Sequence, residues 1–310
     1  MDYTSLIMPV QIPASQWNIG YDDQILLLGS CFADSICAKL QEHYFRVEGN
    51  PFGVLYNPSS IANAIEMALH GKQLVEDDLV ENGGLWHSMA HHGVFSAIDK
   101  DVVLDKCNQS IANLRQALEK ATVITVTFGT AWVYEYEGRV VGNCHKIPAN
   151  QFVRRRMTVE EIVAIWQPLI KAMPDKHWLF TVSPIRHVKD GLHENHINKG
   201  ILLQSVDLLT KQTGSTYFPS YEIMMDELRD YRYYAEDMVH PSSIAVEYIW
   251  QRMVETYMNA DTQAEMNTLH QLWRDVHHRF LHPDSQEAKR FLMRLEQKKQ
   301  ELQQDYPWIV

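Results

Sequence analysis

Three short strand-like runs, each stopped by a glycine or a serine, constrain the fold of this chain more than any other feature. Gln24 to Leu28 stops at Gly29, Thr122 to Phe128 at Gly129, and Trp178 to Val182 at Ser183. The first is a continuous aliphatic run, and a run apolar at successive positions suits a strand covered on both faces. Between them lie stretches that read as helices: Ala33 to His43, a segment opened by Asn57-Pro58 and reaching about His70, Asp105 to Lys120, a segment ending near Met173, and Asn195 to Lys211. Asn57 suits an N-cap with Pro58 at the first helical position, and Thr158 with Glu161 forms a capping box. Strands alternating with helices predict a mostly parallel sheet with helices on both faces. Such sheets carry their sites at the carboxyl ends of the strands, so the turns at Gly29, Gly129 and Ser183 are expected to meet at one place.

Weaker signals fill in the remainder. A short strand is expected near Tyr44 to Val47, a hairpin over Trp132 to Val141 turning at Glu137-Gly138, a last strand at Tyr217-Phe218, and a helix over Pro241 to Met258. The 310 residues allow one large domain with an appendage. Residues 1–260 read as the α/β domain and residues 261–310 as a helical extension. Met266, Leu269, Trp273, Val276 and Phe280 recur at three- and four-residue steps, and Ala288, Phe291, Leu292, Leu295 and Leu302 repeat the pattern. That spacing describes a helical hairpin with one apolar stripe. The stripe has two readings, docking onto the parent domain or the seam of a homodimer.

Charge narrows the partners. With 28 basic and 39 acidic residues the chain carries a net charge of −11, which argues against nucleic acid or an anionic membrane surface. The one basic run, Arg154-Arg155-Arg156, reads as a solvated face or an anion contact. No stretch approaches the roughly 18 uninterrupted apolar residues of a membrane span. Met1 to Pro13 lacks a basic start and a long apolar run, so no secretory leader is expected. Cys31, Cys37, Cys107 and Cys144 form neither a CxxC pair nor a paired zinc spacing, so reduced thiols and a cytoplasmic location are expected. No phosphate-cradling glycine loop is present, and no cofactor is expected.

Two constellations carry chemistry. In Asp237-Met238-Val239-His240 a carboxylate three residues before a histidine can accept its Nδ1 proton, leaving Nε2 as a base. Gly29-Ser30-Cys31 lies at a strand-to-helix turn, where backbone N–H groups and the positive helix end favour a developing oxyanion.

Gly29-Ser30-Cys31-Phe32-Ala33 spells the motif of the GSCFA family, within the SGNH/GDSL hydrolase superfamily. Asn50-Pro51-Phe52-Gly53, Tyr56-Asn57-Pro58, Thr127-Phe128-Gly129-Thr130, Gly142-Asn143-Cys144-His145-Lys146 and Ser183-Pro184-Ile185-Arg186-His187 also resemble that family. The resemblance, over about residues 20 to 255, implies a flavodoxin-like three-layer α/β/α sandwich and acyl-ester chemistry. Laid without gaps on Leu28-Gly29-Ser30-Cys31, the superfamily's Gly-Asp-Ser block puts its nucleophile on Cys31; a shift of one residue puts it on Ser30. Its Asp-x-x-His block matches Asp237 and His240. By distance, Gly53 takes the place of the glycine whose N–H lines the oxyanion hole. The Gly-x-Asn-Asp block departs: Gly129-Thr130-Ala131-Trp132 has no asparagine, so Thr130 or Asn143 must replace it. The resemblance further implies an ester substrate, small-molecule or carbohydrate, with an O-acylated carbohydrate or glycolipid as the nearest analogy and water or a sugar hydroxyl as acceptor.

Trp86, His87 and His92, with His91 and Gly93, cluster in a turn-rich stretch that reads as a substrate-binding loop, a structural loop or a metal site. Ser183, Arg186 and His187 follow a strand end and can reach the pocket, Arg186 as an anchor for a substrate anion. Two rivals stand beside acyl transfer: a degenerate glycan-binding module, and a metal hydrolase built on His87, His91 and His92.

Overall fold

The computed structural model describes residues 8–309, so the expectation for Met1 to Pro13 falls partly outside the described residues. In chain order the strands are β1 (Gln24–Gly29), β2 (Arg46–Gly49), β3 (Leu79–Asn82), β4 (Leu85–Ser88), β5 (Val123–Phe128), β6 (Trp132–Tyr136), β7 (Arg139–Val140), β8 (Phe152–Arg156), β9 (His177–Val182) and β10 (Thr216–Tyr217). The helices are α1 (Cys31–Glu42), α2 (Pro58–Leu69), α3 (Lys100–Lys120), α4 (Val159–Ala172), α5 (Leu192–Thr213), the single turn α6 (Ser220–Glu222), α7 (Ser243–Tyr257), α8 (Ala260–Val276) and α9 (Gln286–Leu302).

The central sheet has five parallel strands in the order β10-β9-β5-β1-β2. Renumbered along the sheet this is the 2-1-3-4-5 order of doubly wound sheets, whose switch point lies between β1 and β5. The alternation of β1 accounts for its continuous apolar run. Leu26 and Leu28 join a core with Phe128, Trp166 and Phe180 under α2 to α5. Ile25 and Leu27 join the opposite core with Phe32, Ile249 and Leu269 under α1, α7 and α8. Both faces are therefore dry, as the run required.

Several elements differ from the sequence reading. Helix α3 begins five residues earlier than expected because Asp99 caps it, its Oδ1 accepting from the Asp101 N–H at 2.9 Å. The turn-rich stretch around Trp86 contains a β3–β4 hairpin. Arg154 to Arg156 lie on β8, which pairs with β6 in a small antiparallel sheet. The run is a half-exposed face on which each guanidinium is ion-paired within the chain: Arg154 with Asp190 at 2.9 Å, Arg155 with Glu135 at 2.8 Å and Arg156 with Glu194 at 2.9 Å.

The C-terminal helices divide in character. Met266, Leu269 and Leu272 bury α8 in the second core, so this part of the stripe docks on the parent domain. Helix α9 fully buries only Ala288, and Leu292 and Met293 stay exposed. Among the described residues no helix is long and apolar enough to cross a membrane.

Candidate active site

The site begins at the switch point. Gly29 has φ +130°, and a Cβ there would run into the Thr127 carbonyl of β5, so only glycine lets the two strands part this closely. Its N–H donates to Asn50 Oδ1 at 2.7 Å, and the Asn50 amide in turn donates to Asp34 at 2.6 Å. Ser30 is the N-cap of α1: it is 1% exposed, and its Oγ accepts from the Phe32 N–H at 3.4 Å. Cys31 is the first helical residue and half-buried, with Sγ 3.5 Å from the Tyr56 hydroxyl. Its amide N–H has no acceptor among the described residues. Burial, and then the bond to Cys31, holds the Tyr56 hydroxyl protonated well above its ordinary value.

The opposite wall carries Asp237 and His240. Asp237 Oδ2 lies 2.6 Å from His240 Nδ1, while Oδ1 accepts from the N–H groups of Val239 at 2.9 Å and His240 at 3.0 Å. These bonds, led by the His240 N–H, hold the Asp237 carboxyl down to about 2. The ionised carboxylate assigns the Nδ1 proton and turns Nε2 outward, with no protein partner among the described residues. The Arg186 N–H donates to the Val239 carbonyl at 3.2 Å, which ties this loop to the end of β9.

A cleft of about 530 Å³ joins Ser30, Cys31 and Tyr56 to Asn143, Arg186 and His240. Its floor rests on one face of α5. Asn195 accepts from the His187 N–H at 2.9 Å, and Asn198 Oδ1 accepts from the Ala131 N–H at 2.5 Å and from the Thr130 hydroxyl at 3.2 Å. Lys199, 1% exposed, donates to the carbonyls of Gly129 at 2.8 Å and Ser183 at 2.7 Å. Burial pushes its amine down to about 7. His187 lines the cleft, and burial, reinforced by Lys199, pushes its imidazole down to about 4. Nothing in the local sequence marks Asn195, Asn198 or Lys199; their spacing on one helix face is the only signal they carry.

The structure separates the other expected residues. Thr130 lines the cleft, but its hydroxyl donates to Asn198 and its N–H to the Tyr56 carbonyl at 2.9 Å, so it has no proton left for an oxyanion. Asn143 also lines the cleft; its Oδ1 accepts from the His145 N–H at 2.9 Å, and Nδ2 has no partner among the described residues. Ser183 is fully buried at the cleft floor, its Oγ accepting from the Ile185 N–H at 3.3 Å.

Gly53 is a correction. Its N–H is committed to the Asn50 carbonyl at 2.7 Å, and the backbone there packs against His92 rather than the cleft.

Trp86, His87 and His92 also stay outside the cleft. Trp86 packs on the core, His87 bonds Ser96 Oγ at 2.7 Å and the Asn82 carbonyl at 3.2 Å, and His92 Nδ1 accepts from the Val94 N–H at 3.4 Å. His91 is held between Ser88 and Ser110, each at 2.8 Å. These rings do not converge on a common point, because each is spent on local bonds. The loop still matters indirectly: the Met89 carbonyl accepts from the Gly142 N–H at 2.7 Å and braces the lip that carries Asn143.

No curated protein matched the chain in a sequence comparison. The profile of the GSCFA family matches residues 24–253. That span opens at the first residue of β1 and closes within α7, taking in the Cys31 turn, the cleft and the Asp237–His240 pair, and leaving out the C-terminal helices. With a match over most of its length, the chain belongs to the GSCFA family.

Proposed function

We propose that this protein is an acyl-transfer enzyme that forms a covalent acyl-thioester on Cys31, on a fold related to the SGNH/GDSL hydrolases. The observation that carries the reading is the Asp237–His240 pair at 2.6 Å, with Nε2 open on the same cleft as the thiol at the start of α1. Cys31 is preferred to Ser30 because the serine hydroxyl is buried as a helix cap while the thiol faces the cleft beside Tyr56.

His240 Nε2 takes the Cys31 proton, Asp237 stabilises the imidazolium, and the thiolate adds to the ester carbonyl. The oxyanion is met by the free Cys31 N–H and by Asn143 Nδ2, which stands in for the asparagine absent at Thr130. The Tyr56 hydroxyl, 3.5 Å from Sγ, is placed to donate to the sulfur once His240 has taken its proton. Collapse breaks the carbon–oxygen bond, and His240 returns its proton to the leaving alcohol. Water, or a sugar hydroxyl deprotonated by His240, then attacks the thioester and regenerates the thiol. An O-acylated carbohydrate or glycolipid is the substrate class nearest by analogy of fold.

The test is intact mass and peptide mapping after brief exposure to p-nitrophenyl acetate. A single acetyl adduct on Cys31 is expected, absent in Cys31→Ala, retained in Ser30→Ala and slowed in His240→Ala. A folded protein without an adduct on either residue would leave the degenerate glycan-binding reading, which the commitment of Thr130 to Asn198 favours.

A further inference from the structure

Charge in the cleft runs against charge in the chain. The protein carries −11 overall, yet the aspartate, lysine and arginine side chains that line the cleft are Arg154, Arg186, Lys189 and Asp190. Arg154 is neutralised by Asp190 through a two-point pair, so that couple contributes little net field. Arg186 and Lys189 have no carboxylate within 4 Å among the described residues. Lys199 lies behind them with two carbonyls and no carboxylate.

Arg186 is also oriented. Its guanidinium lies over the ring of Tyr234 at 3.9 Å and of Tyr231 at 5.2 Å, rings that line an adjoining pocket, so Arg186 stands at the boundary between that pocket and the cleft, and its own N–H is bonded to the residue before His240. A planar guanidinium stacked on aromatic rings keeps its edge N–H groups free for a two-point bond to an oxyanion. Arg186 is half-buried and Lys189 exposed at the rim, and unpaired cations around a concave site focus field lines on an anion that the net charge of the chain would otherwise repel.

We propose that Arg186 and Lys189 form an oxyanion subsite, so that the substrate carries a carboxylate or a phosphate group next to the ester. The position beside the ester rests on the acyl-transfer reading; the binding of the anion does not.

The experiment is calorimetric titration of the full chain at low salt with methyl phosphate and with succinate. Wild type is compared with Arg186→Gln, Arg186→Lys, Lys189→Gln and Arg139→Gln, the last removing an equal charge from the exposed hairpin outside the cleft. One probe is expected to bind wild type, with affinity about 10- to 100-fold weaker in Arg186→Gln. Arg186→Lys, which keeps the charge but loses the fork, falls between and serves if the glutamine variant does not fold. Lys189→Gln gives a smaller loss and Arg139→Gln none, and the stronger probe decides between phosphate and carboxylate. No binding of either probe, or equal affinities in wild type and the folded Arg186 variants, overturns the subsite, as does an equal loss in Arg139→Gln. Calorimetry without turnover reads this independently of the Cys31 adduct, so failure of the subsite and failure of acyl transfer are told apart.

Discussion

Acidifying this protein from about pH 7.5 to about pH 5.5 should remove roughly 4 kcal/mol of its stability through three buried imidazoles. His91 is 0% exposed, stacked at 4.2 Å on Phe52, with both nitrogens bonded to serine hydroxyls. Burial pushes it down to about 3 from 6.5, and pushes His145 and His187 down to about 4. Because these folded pKa values lie below the unfolded one, the unfolded chain alone takes up protons between 6.5 and about 4, and stability falls as pH falls through that window. Each ring then costs about 1.4 kcal/mol per pH unit below 6.5. Three rings one unit below give the total, a large part of the roughly 5–15 kcal/mol of an ordinary domain. The carboxyls of Asp190 and Asp237 are shifted down from 3.8 and lose their contribution only at lower pH. Half-buried Glu222 is shifted up and works the other way, so the difference between variants is the clean measure. Urea unfolding followed by tryptophan fluorescence at both pH values, in wild type and in His91→Gln, supplies it. The variant is less stable at both, but its loss on acidification should be smaller by about 1.4 kcal/mol. Equal losses in the two proteins would refute a neutral, buried His91 as a source of acid lability.

Three further outcomes are expected from the fold. Gly29→Ala places a Cβ against the Thr127 carbonyl at positive φ and should abolish recovery of soluble protein, a destabilisation beyond about 4 kcal/mol. Glu227→Gln breaks a buried pair with Arg252 at 2.8 Å that also holds Tyr248 at 2.7 Å, and should lower stability by about 3–5 kcal/mol in denaturant titration. Thr158→Ala opens the capping box of α4, in which Oγ1 accepts from the Glu161 N–H at 3.2 Å, and should cost about 1 kcal/mol, seen as a small fall in Tm.

The parts of this structure legible in the sequence are those whose physics is local. The β1 run is apolar from Ile25 to Leu28 because both of its faces are covered, and β5 and β9 are equally buried although Thr125, Thr127 and Thr181 interrupt their apolar pattern. Asp237 and His240 meet because three residues separate them, so their bond needs no distant partner. The rest depends on contacts far apart in the chain. Asn198 reads as an ordinary helical residue until Thr130, 68 positions earlier, is brought beneath it. Gly53 sits at a suitable separation from the Cys31 turn, but separation says nothing of where an N–H points, and this one points to Asn50. The carboxylates that pair with Arg154 to Arg156 are not legible beside them, because Glu135, Asp190 and Glu194 lie elsewhere in the sequence.

One face of α5 fastens the segments after β5 and β9 through Asn195, Asn198 and Lys199. The cleft walls are thereby geared to one shaft: a tilt of α5 carries Thr130, Ser183 and His187 together, and none of them drifts alone. Backbone amide exchange at residues 131 and 187 should therefore follow a common opening rate, set by the detachment of α5 rather than by each loop's own fraying.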